Sequence, residues 1–493
     1  MEQFAHRSAQ TSGCAHASAE GRMSMKRILL LILVLLCPAL TVSAQPDSAR
    51  QGENIFGVIE AFWLPEAACE LGAGWERIIF DWAQHQPTGI DDWNTLNVDE
   101  RWLREAQACD REVVAIVKAT PAWATDGTPL IGVPRGLYLE VDDPGNLWAR
   151  FIRRAAEYYA ERGVRRFIIW NEPDISEDTY GYEFEGTLAD YARLLEVAWR
   201  AARQGNPDAI IHMAGTTYWH DVNARQRLYV DRLLEHLSAD PEAAANGYYF
   251  DVLTLHIYFR SETVYTIVRE MQALLEQYGI PDKQIWITET NASPNLDPAW
   301  PVTRPNWQVT LEQQAAFLIH AAALGLAAGV DSIGVYKFYD WNLPPGAEAF
   351  GLIRVDETRR PAFDTWRFVI REFNGVIDAD YAQTDTVDVV RLQRADGMAM
   401  IVAWARTAAG GQIRISPTDQ GAQIADLYGT MMNIAPWNDA YTLALPGARC
   451  NPRDGCAVGG SPVILMQPEA SFAVEVISSA GSTALNFDEA EGL

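Results

Sequence analysis

Arg166-Phe167-Ile168-Ile169-Trp170-Asn171-Glu172-Pro173-Asp174 is the stretch on which the fold turns. Four apolar residues follow a helix-like segment ending in Glu161-Arg162-Gly163, and an amide and a carboxylate appear where the apolar run stops. The length of the run and its Gly and Pro boundaries favour a short buried strand over a helix. Pro173 has no N–H to donate, so the strand cannot usefully continue past Glu172. A carboxylate leaving an apolar strand is costly to bury unless it is paired or put to use.

A second stretch has the same form: Gln284-Ile285-Trp286-Ile287-Thr288-Glu289-Thr290-Asn291 again ends an apolar strand on a glutamate. Taken singly, each is as well explained by a helix cap or a loop anchor. Two such carboxylates at the ends of strands in one parallel barrel suggest acid/base and nucleophile work on a glycosidic bond.

The remaining strands predict that barrel. They are Ile55–Ile59, Arg77–Phe80, Val113–Val117, Ile210–Met213, Val252–His256 and Ile333–Tyr336. Amphipathic segments separate them near 99–109, 144–162, 188–203, 225–237, 263–278, 311–328 and 361–373. Eight strand-helix units with little alternation in the strands fit a (β/α)8 TIM barrel covered on both faces. A doubly wound sheet would want a Gly-rich phosphate turn after the first strand, and Gly57-Val58-Ile59-Glu60 offers none.

The strand ends carry Arg77 and Asp81, Lys118, Asn171 and Glu172, His212, His256 and Tyr258, Glu289, and Lys337, Tyr339 and Asp340, all expected at one mouth. After Phe373 the pattern shifts to period two. Val387–Gln393, Met398–Ala405, Gln412–Ile415, Gln423–Leu427, Tyr441–Leu445 and Val463–Met466 predict a C-terminal antiparallel β-sandwich. The expected organisation is a barrel over 45–374, a sandwich over 375–478 and an acidic tail over 479–493, with 51–54 as a possible addition to the sandwich.

Met25-Lys26-Arg27, the apolar run Ile28–Leu36 and Val42-Ser43-Ala44 predict a secretory signal peptide over residues 1–44, in which 1–24 can be an over-called start. The run is too short for stable membrane insertion. A secreted or cell-surface protein is expected, which permits disulfides. Cleavage leaves Cys69, Cys109, Cys450 and Cys456; Cys450 and Cys456 enclose a short turn, and Cys69 and Cys109 either pair or stay as buried thiols. The 39 basic and 65 acidic residues give a net charge of −26, which speaks against a nucleic-acid partner. Without HExxH or paired CxxC spacing, no metal or cofactor is expected. Oligomeric state is not readable.

Trp63, Trp82, Trp123, Tyr180, Tyr182, Trp219, Trp300, Trp307 and Trp341 crowd the loops. Flat aromatic faces over a carboxylate pair suit the apolar faces of sugar rings, although loop packing accounts for many of them. Trp123 and Trp341 are the preferred stacking candidates.

At Trp170-Asn171-Glu172-Pro173-Asp174 the chain resembles the clan A glycoside hydrolases. Thr288-Glu289 looks like the nucleophile strand, and His256-Ile257-Tyr258 and Arg77 resemble the clan's strand-six and strand-two residues. Phe350-Gly351-Leu352 with Arg360-Pro361-Ala362 is similar to its closing segment. Thr120-Pro121-Ala122-Trp123 and the added sandwich are most similar to family 39, which includes β-xylosidases and α-iduronidases, with family 5 next. The resemblance implies retaining hydrolysis of a carbohydrate, with Glu289 as nucleophile and Glu172 as acid/base, the carboxyls roughly 5–5.5 Å apart. It further implies that Arg77 and Tyr258 keep Glu289 ionised, that Asn171 meets the sugar 2-hydroxyl and that His256 orients. Where those families carry a strand-eight tryptophan under the sugar, Lys337 stands, with Trp341 as the substitute from the loop. A transglycosidase using the same residues and a non-catalytic saccharide-binding barrel are the alternatives.

Overall fold

The apolar runs become strands because each is covered on both faces: Phe56–Ile59 (β1), Arg166–Ile169 (β4) and Ser332–Val335 (β8) are wholly buried. The computed structural model describes residues 54–487 except 419, 469–472 and 479–480. The expected signal peptide and residues 51–53 lie outside these. With Trp75–Asp81 (β2), Glu112–Lys118 (β3), Ile210–Met213 (β5), Val252–Tyr258 (β6) and Gln284–Asn291 (β7), the strands close a parallel barrel in sequence order, β1 pairing with both β2 and β8. The helices fall where the periodicity places them, give or take a few terminal residues, and a short helix Trp219–Ala224 precedes the expected one, which runs Tyr229–Ser238.

The interior of the barrel is packed. Ile59, Trp75, Val114, Ile116, Ile168, Val252 and Trp286 form one cluster, with the Arg166 guanidinium 4.6 Å above the Trp286 ring. His212 packs edge-on to that ring at 4.9 Å. This corrects its expected position at the mouth: His212 is in register with Val252, the first residue of β6, and so lies at the floor. Asp81 caps the helix Trp82–His85, and Asp340 is buried against Arg360 at 2.6 Å and the amides of Phe350 and Gly351. Neither of these reaches the mouth as a free group.

The sandwich has ten strands among the described residues rather than six. One sheet runs in the order Met431–Ile434 (β14), Ala422–Ala425 (β13), Val463–Pro468 (β16), Met398–Ala405 (β11), Val387–Arg394 (β10) and Val376–Gln383 (β9). It shares an apolar core with a second sheet in the order Tyr441–Leu445 (β15), Gly411–Ile415 (β12), Val474–Ser478 (β17) and Gly481–Ala484 (β18). The additional strands are Val376–Gln383 (β9), Met431–Ile434 (β14), Val474–Ser478 (β17) and Gly481–Ala484 (β18). Three of the four are sheet edges, where exposed residues erase the hydrophobic alternation that marks a strand. Residues 481–484, expected in an acidic tail, thus extend the second sheet by pairing with β17. Asn54 donates to the Gly72 carbonyl at 2.7 Å, at the floor of the barrel and not in the sandwich.

Helix Leu311–Ala328 is apolar on all sides because it contacts β7 and β8 on the barrel and β9 and β10 of the sandwich. Its start is fixed by a capping box between Thr310 and Gln313. His320 stacks on Trp404 of the sandwich at 4.1 Å. Both disulfides form, Cys69–Cys109 and Cys450–Cys456, as fits an oxidising compartment. No described helix is long and apolar enough to cross a membrane.

Candidate active site

β4 ends at Ile169, and the next three residues turn its polar groups into the mouth. Trp170 (φ 72°) and Glu172 (φ 41°) both take left-handed backbone, a conformation that non-glycine residues hold only where the surroundings enforce it. The neighbours do enforce it: the Trp170 amide donates to Val117 O at 2.9 Å, the Glu172 amide to Gly215 O at 3.1 Å, and the Trp170 indole to Glu183 O at 2.8 Å. Across the barrel the β6–β7 register slips at Thr288, so that Leu255 faces Ile287 but His256 faces Glu289. This irregularity re-aims the Glu289 side chain.

One carboxylate oxygen each from Glu172 and Glu289 and a ring nitrogen of His256 all lie within 4.8 Å of one another. His256 Nδ1 is 2.6 Å from Glu172 Oε1 and 3.7 Å from Glu289 Oε2. Arg77 donates to Glu289 Oε1 and the Tyr258 hydroxyl to Oε2. Burial would push the Glu289 carboxyl up, but the Arg77 and His256 charges and the two bonds hold it below the ordinary glutamate range. Burial also pulls the His256 imidazole down, yet the Glu289 charge and the bond and charge of Glu172 leave it raised. The Tyr258 hydroxyl is pushed well up by burial and by Glu289, so it stays a donor. Asn171 Oδ1 is buried without a hydrogen-bond partner. Asp174, pushed by burial up to about 6, accepts from the Thr217 amide and hydroxyl at 2.8 and 2.7 Å and so ties the β4 and β5 loops together.

Glu172, His256 and Glu289 have the donor types of a metal site. Both Glu289 oxygens are already bonded to donors, and a guanidinium beside them opposes a further cation.

Lys337 reaches the seam with β1, its Nζ 3.6 Å from Glu60 Oε2. The Tyr336 hydroxyl is pushed up by burial and then by the charges of Glu289 and Glu60, which marks it as a neighbour of the pair that the sequence reading left in the strand. Lys118 pairs with Glu183 at 2.6 Å. Trp123 donates its indole N–H to Gln86 O at 2.6 Å and sets its ring edge-on to Trp82, and Trp341 stacks on Trp63 at 4.2 Å. Neither lines the cavity of about 680 Å³ beside Glu172; its tryptophans are Trp219 and Trp307.

Gly215 was not legible as functional, and its only signal is a small residue just after a strand. A Cβ there would lie 2.1 Å from His256 Nε2, with two more ring atoms within 2.7 Å. Gly215→Ala is expected to displace His256 from Glu172 and to lower kcat by about 100-fold, the penalty of a misplacement near 1 Å. The check is kcat alongside an unchanged circular dichroism spectrum.

Residues 145–325, which include both glutamates, match the family model described as a glycosyl hydrolase catalytic core. This stretch is similar to a glycosyl hydrolase core. No curated protein matches the chain significantly. Among solved structures, the hydrolase is similar to a family 39 glycoside hydrolase from the gut symbiont Bacteroides cellulosilyticus, with a TM-score of 0.65 and 16% identity over 83% of this chain and 80% of that one. It is also similar to a family 30 endoxylanase from Clostridium papyrosolvens (TM-score 0.55, 15% identity, 85% and 97% covered). A monomeric beta-xylosidase from Caulobacter crescentus gives 0.54 and 13%, again with 85% and 97% covered. At these identities the likeness is one of fold. The family model agrees with the resemblance to glycoside hydrolases, and the solved structures share the barrel with its added β-domain.

Proposed function

We propose that the chain is a secreted retaining glycoside hydrolase that cleaves O-glycosidic bonds of oligo- or polysaccharides by double displacement. The observation that carries this reading is the convergence of Glu172, Glu289 and His256 oxygen and nitrogen atoms within 4.8 Å, which suits the close carboxyl pair of a retaining enzyme better than the wider pair of an inverting one. Glu289 attacks the anomeric carbon as the bond to the departing oxygen breaks, and Glu172 gives that oxygen its proton. Glu172 then takes a proton from water, which attacks the same carbon and frees Glu289. Asn171 Oδ1 is available to the sugar 2-hydroxyl, a contact that strengthens in the transition state. The two disulfides support export.

The test is a panel of aryl glycosides, headed by β-xylosides because the structural neighbours include a beta-xylosidase and an endoxylanase. Proton NMR of the first-formed product is expected to give the anomer of the substrate. The opposite anomer first would end the retaining reading, and binding without cleavage across the panel would end the enzymatic one.

The charge on Arg77 sets the acid limb. Glu289 must be ionised to attack, so kcat/KM falls as pH drops through its pKa, which lies below the ordinary value. In Arg77→Met the buried carboxyl loses its counter-charge and its pKa rises, moving the acid limb up by about 1–3 pH units. A pH profile of kcat/KM for both proteins checks this; an unmoved limb would detach Arg77 from Glu289.

A further inference from the structure

The cavity at the mouth is not centred on the glutamate pair. Glu172, His256 and Tyr258 line it, whereas Glu289 and Arg77 do not. Trp219, Arg260 and Trp307 line it as well. An acid/base stands beside the departing oxygen, so room on its side is room for the leaving group. About 680 Å³ holds a saccharide unit with space to spare.

Trp307 sits between β7 and helix Leu311–Ala328, stacked on Phe259 at 5.0 Å and 10° between planes. The Arg260 guanidinium is 5.6 Å from its ring. Asn295 holds the Trp307 carbonyl from within the barrel at 3.1 Å. Leu296 N–H donates to the Val309 carbonyl at 2.9 Å, also from within the barrel, and further ties of this segment come from the sandwich. Gln308 N–H donates to Asp454 Oδ2 at 3.0 Å, Arg453 donates to Pro305 O at 3.1 Å, and Gln313 donates to Arg449 O at 3.2 Å. Arg453 and Asp454 lie inside the loop closed by Cys450–Cys456. Asp454 is itself fixed there: Asn451 Nδ2 donates to its Oδ2 at 3.0 Å, and its own amide donates to Asn451 Oδ1 at 2.8 Å. Arg260 and Glu262 line both this cavity and a second one, of about 400 Å³, at the Arg453–Asp454 loop.

We propose that this cavity is the leaving-group subsite, that it takes a saccharide unit against Trp307 and Trp219, and that the disulfide-closed loop of the sandwich positions it through Asp454. The proposal rests on the assignment of Glu172 as acid/base. Asp454 is a positioning residue, since it acts on the sugar only through the segment that carries Trp307.

The test compares two substrates of the sugar that the glycoside panel identifies: the disaccharide, which fills the leaving-group side, and the glycosyl fluoride, which places one atom there. Trp307→Ala and Asp454→Ala are each expected to lower the ratio of kcat/KM on disaccharide to kcat/KM on fluoride by about tenfold, mainly through KM. Asp454→Asn, which keeps an acceptor oxygen for Gln308, is expected to restore most of the ratio. Hydrogen exchange at the Gln308 amide is expected to speed up in Asp454→Ala and not in Asp454→Asn. An unchanged ratio in Asp454→Ala, or an equal loss on both substrates, overturns the proposal. If Glu172→Ala leaves disaccharide cleavage intact, the acid/base assignment fails instead, and the subsite reading falls with it.

Discussion

Glu289→Gln is expected to lose glycoside turnover by about four orders of magnitude or more, equivalent to about 5 kcal/mol of transition-state stabilisation. An amide oxygen still accepts from Arg77, so the side chain keeps its place, but it cannot form the glycosyl ester on which the second step depends. Arg77 and Glu289 are 5% and 9% exposed, so the substitution also leaves a buried guanidinium without its counter-charge. A thermal melt therefore has to accompany the kinetics, to separate lost chemistry from lost fold. A direct companion measurement uses a 2-deoxy-2-fluoro glycoside, which slows release of the intermediate. The wild type is expected to carry the added sugar mass on the peptide spanning 284–291 and the variant to carry none. A label on any other carboxylate, or full turnover in the variant, would remove Glu289 from the nucleophile role.

The barrel was legible because its strands are buried on both faces, so that Phe167–Trp170 and Ile285–Ile287 stand out as unbroken apolar runs. The lack of that property hid β9, β14 and β18, which lie at sheet edges and carry exposed residues. Glu172, Glu289, His256 and Tyr258 were legible because each lies towards or just past the C-terminal end of an apolar strand, and the parallel register brings such ends together; Arg77, the third residue of β2, was legible only through the family resemblance. His212 follows the same pattern and lies elsewhere, because it is in register with Val252, the first residue of β6. What could not be read is whatever depends on contacts between segments distant in sequence. Gly215 matters because the His256 ring fills the place of its missing Cβ, and Trp307 outranks Trp123 and Trp341 because it lines the cavity beside Glu172 and they do not. Asp454 bonds to Gln308 across the junction of the two modules, and no local pattern announces that.

Glu172→Ala separates the two half-reactions. A glycoside with a good leaving group, such as a dinitrophenolate, needs no proton to depart, so Glu289 still forms the glycosyl-enzyme and turnover then stalls for want of a base. A natural disaccharide needs the proton as well, and its cleavage is expected to fall by about 10²–10⁴-fold, the range of a single positioned proton donor. Azide is a nucleophile that requires no deprotonation. Added to the variant with the activated substrate, it is expected to restore turnover by attacking the anomeric carbon of the glycosyl-enzyme, expelling Glu289 and leaving a glycosyl azide of retained configuration. His256, 2.6 Å from Glu172 Oε1, is a neighbour that could supply a proton in its place. Rescue without azide as the pH falls into the histidine range would assign the proton to His256. Loss of disaccharide cleavage with azide rescue at all pH values would keep it with Glu172, and a variant that cleaves the disaccharide as fast as the wild type would take Glu172 out of the chemistry.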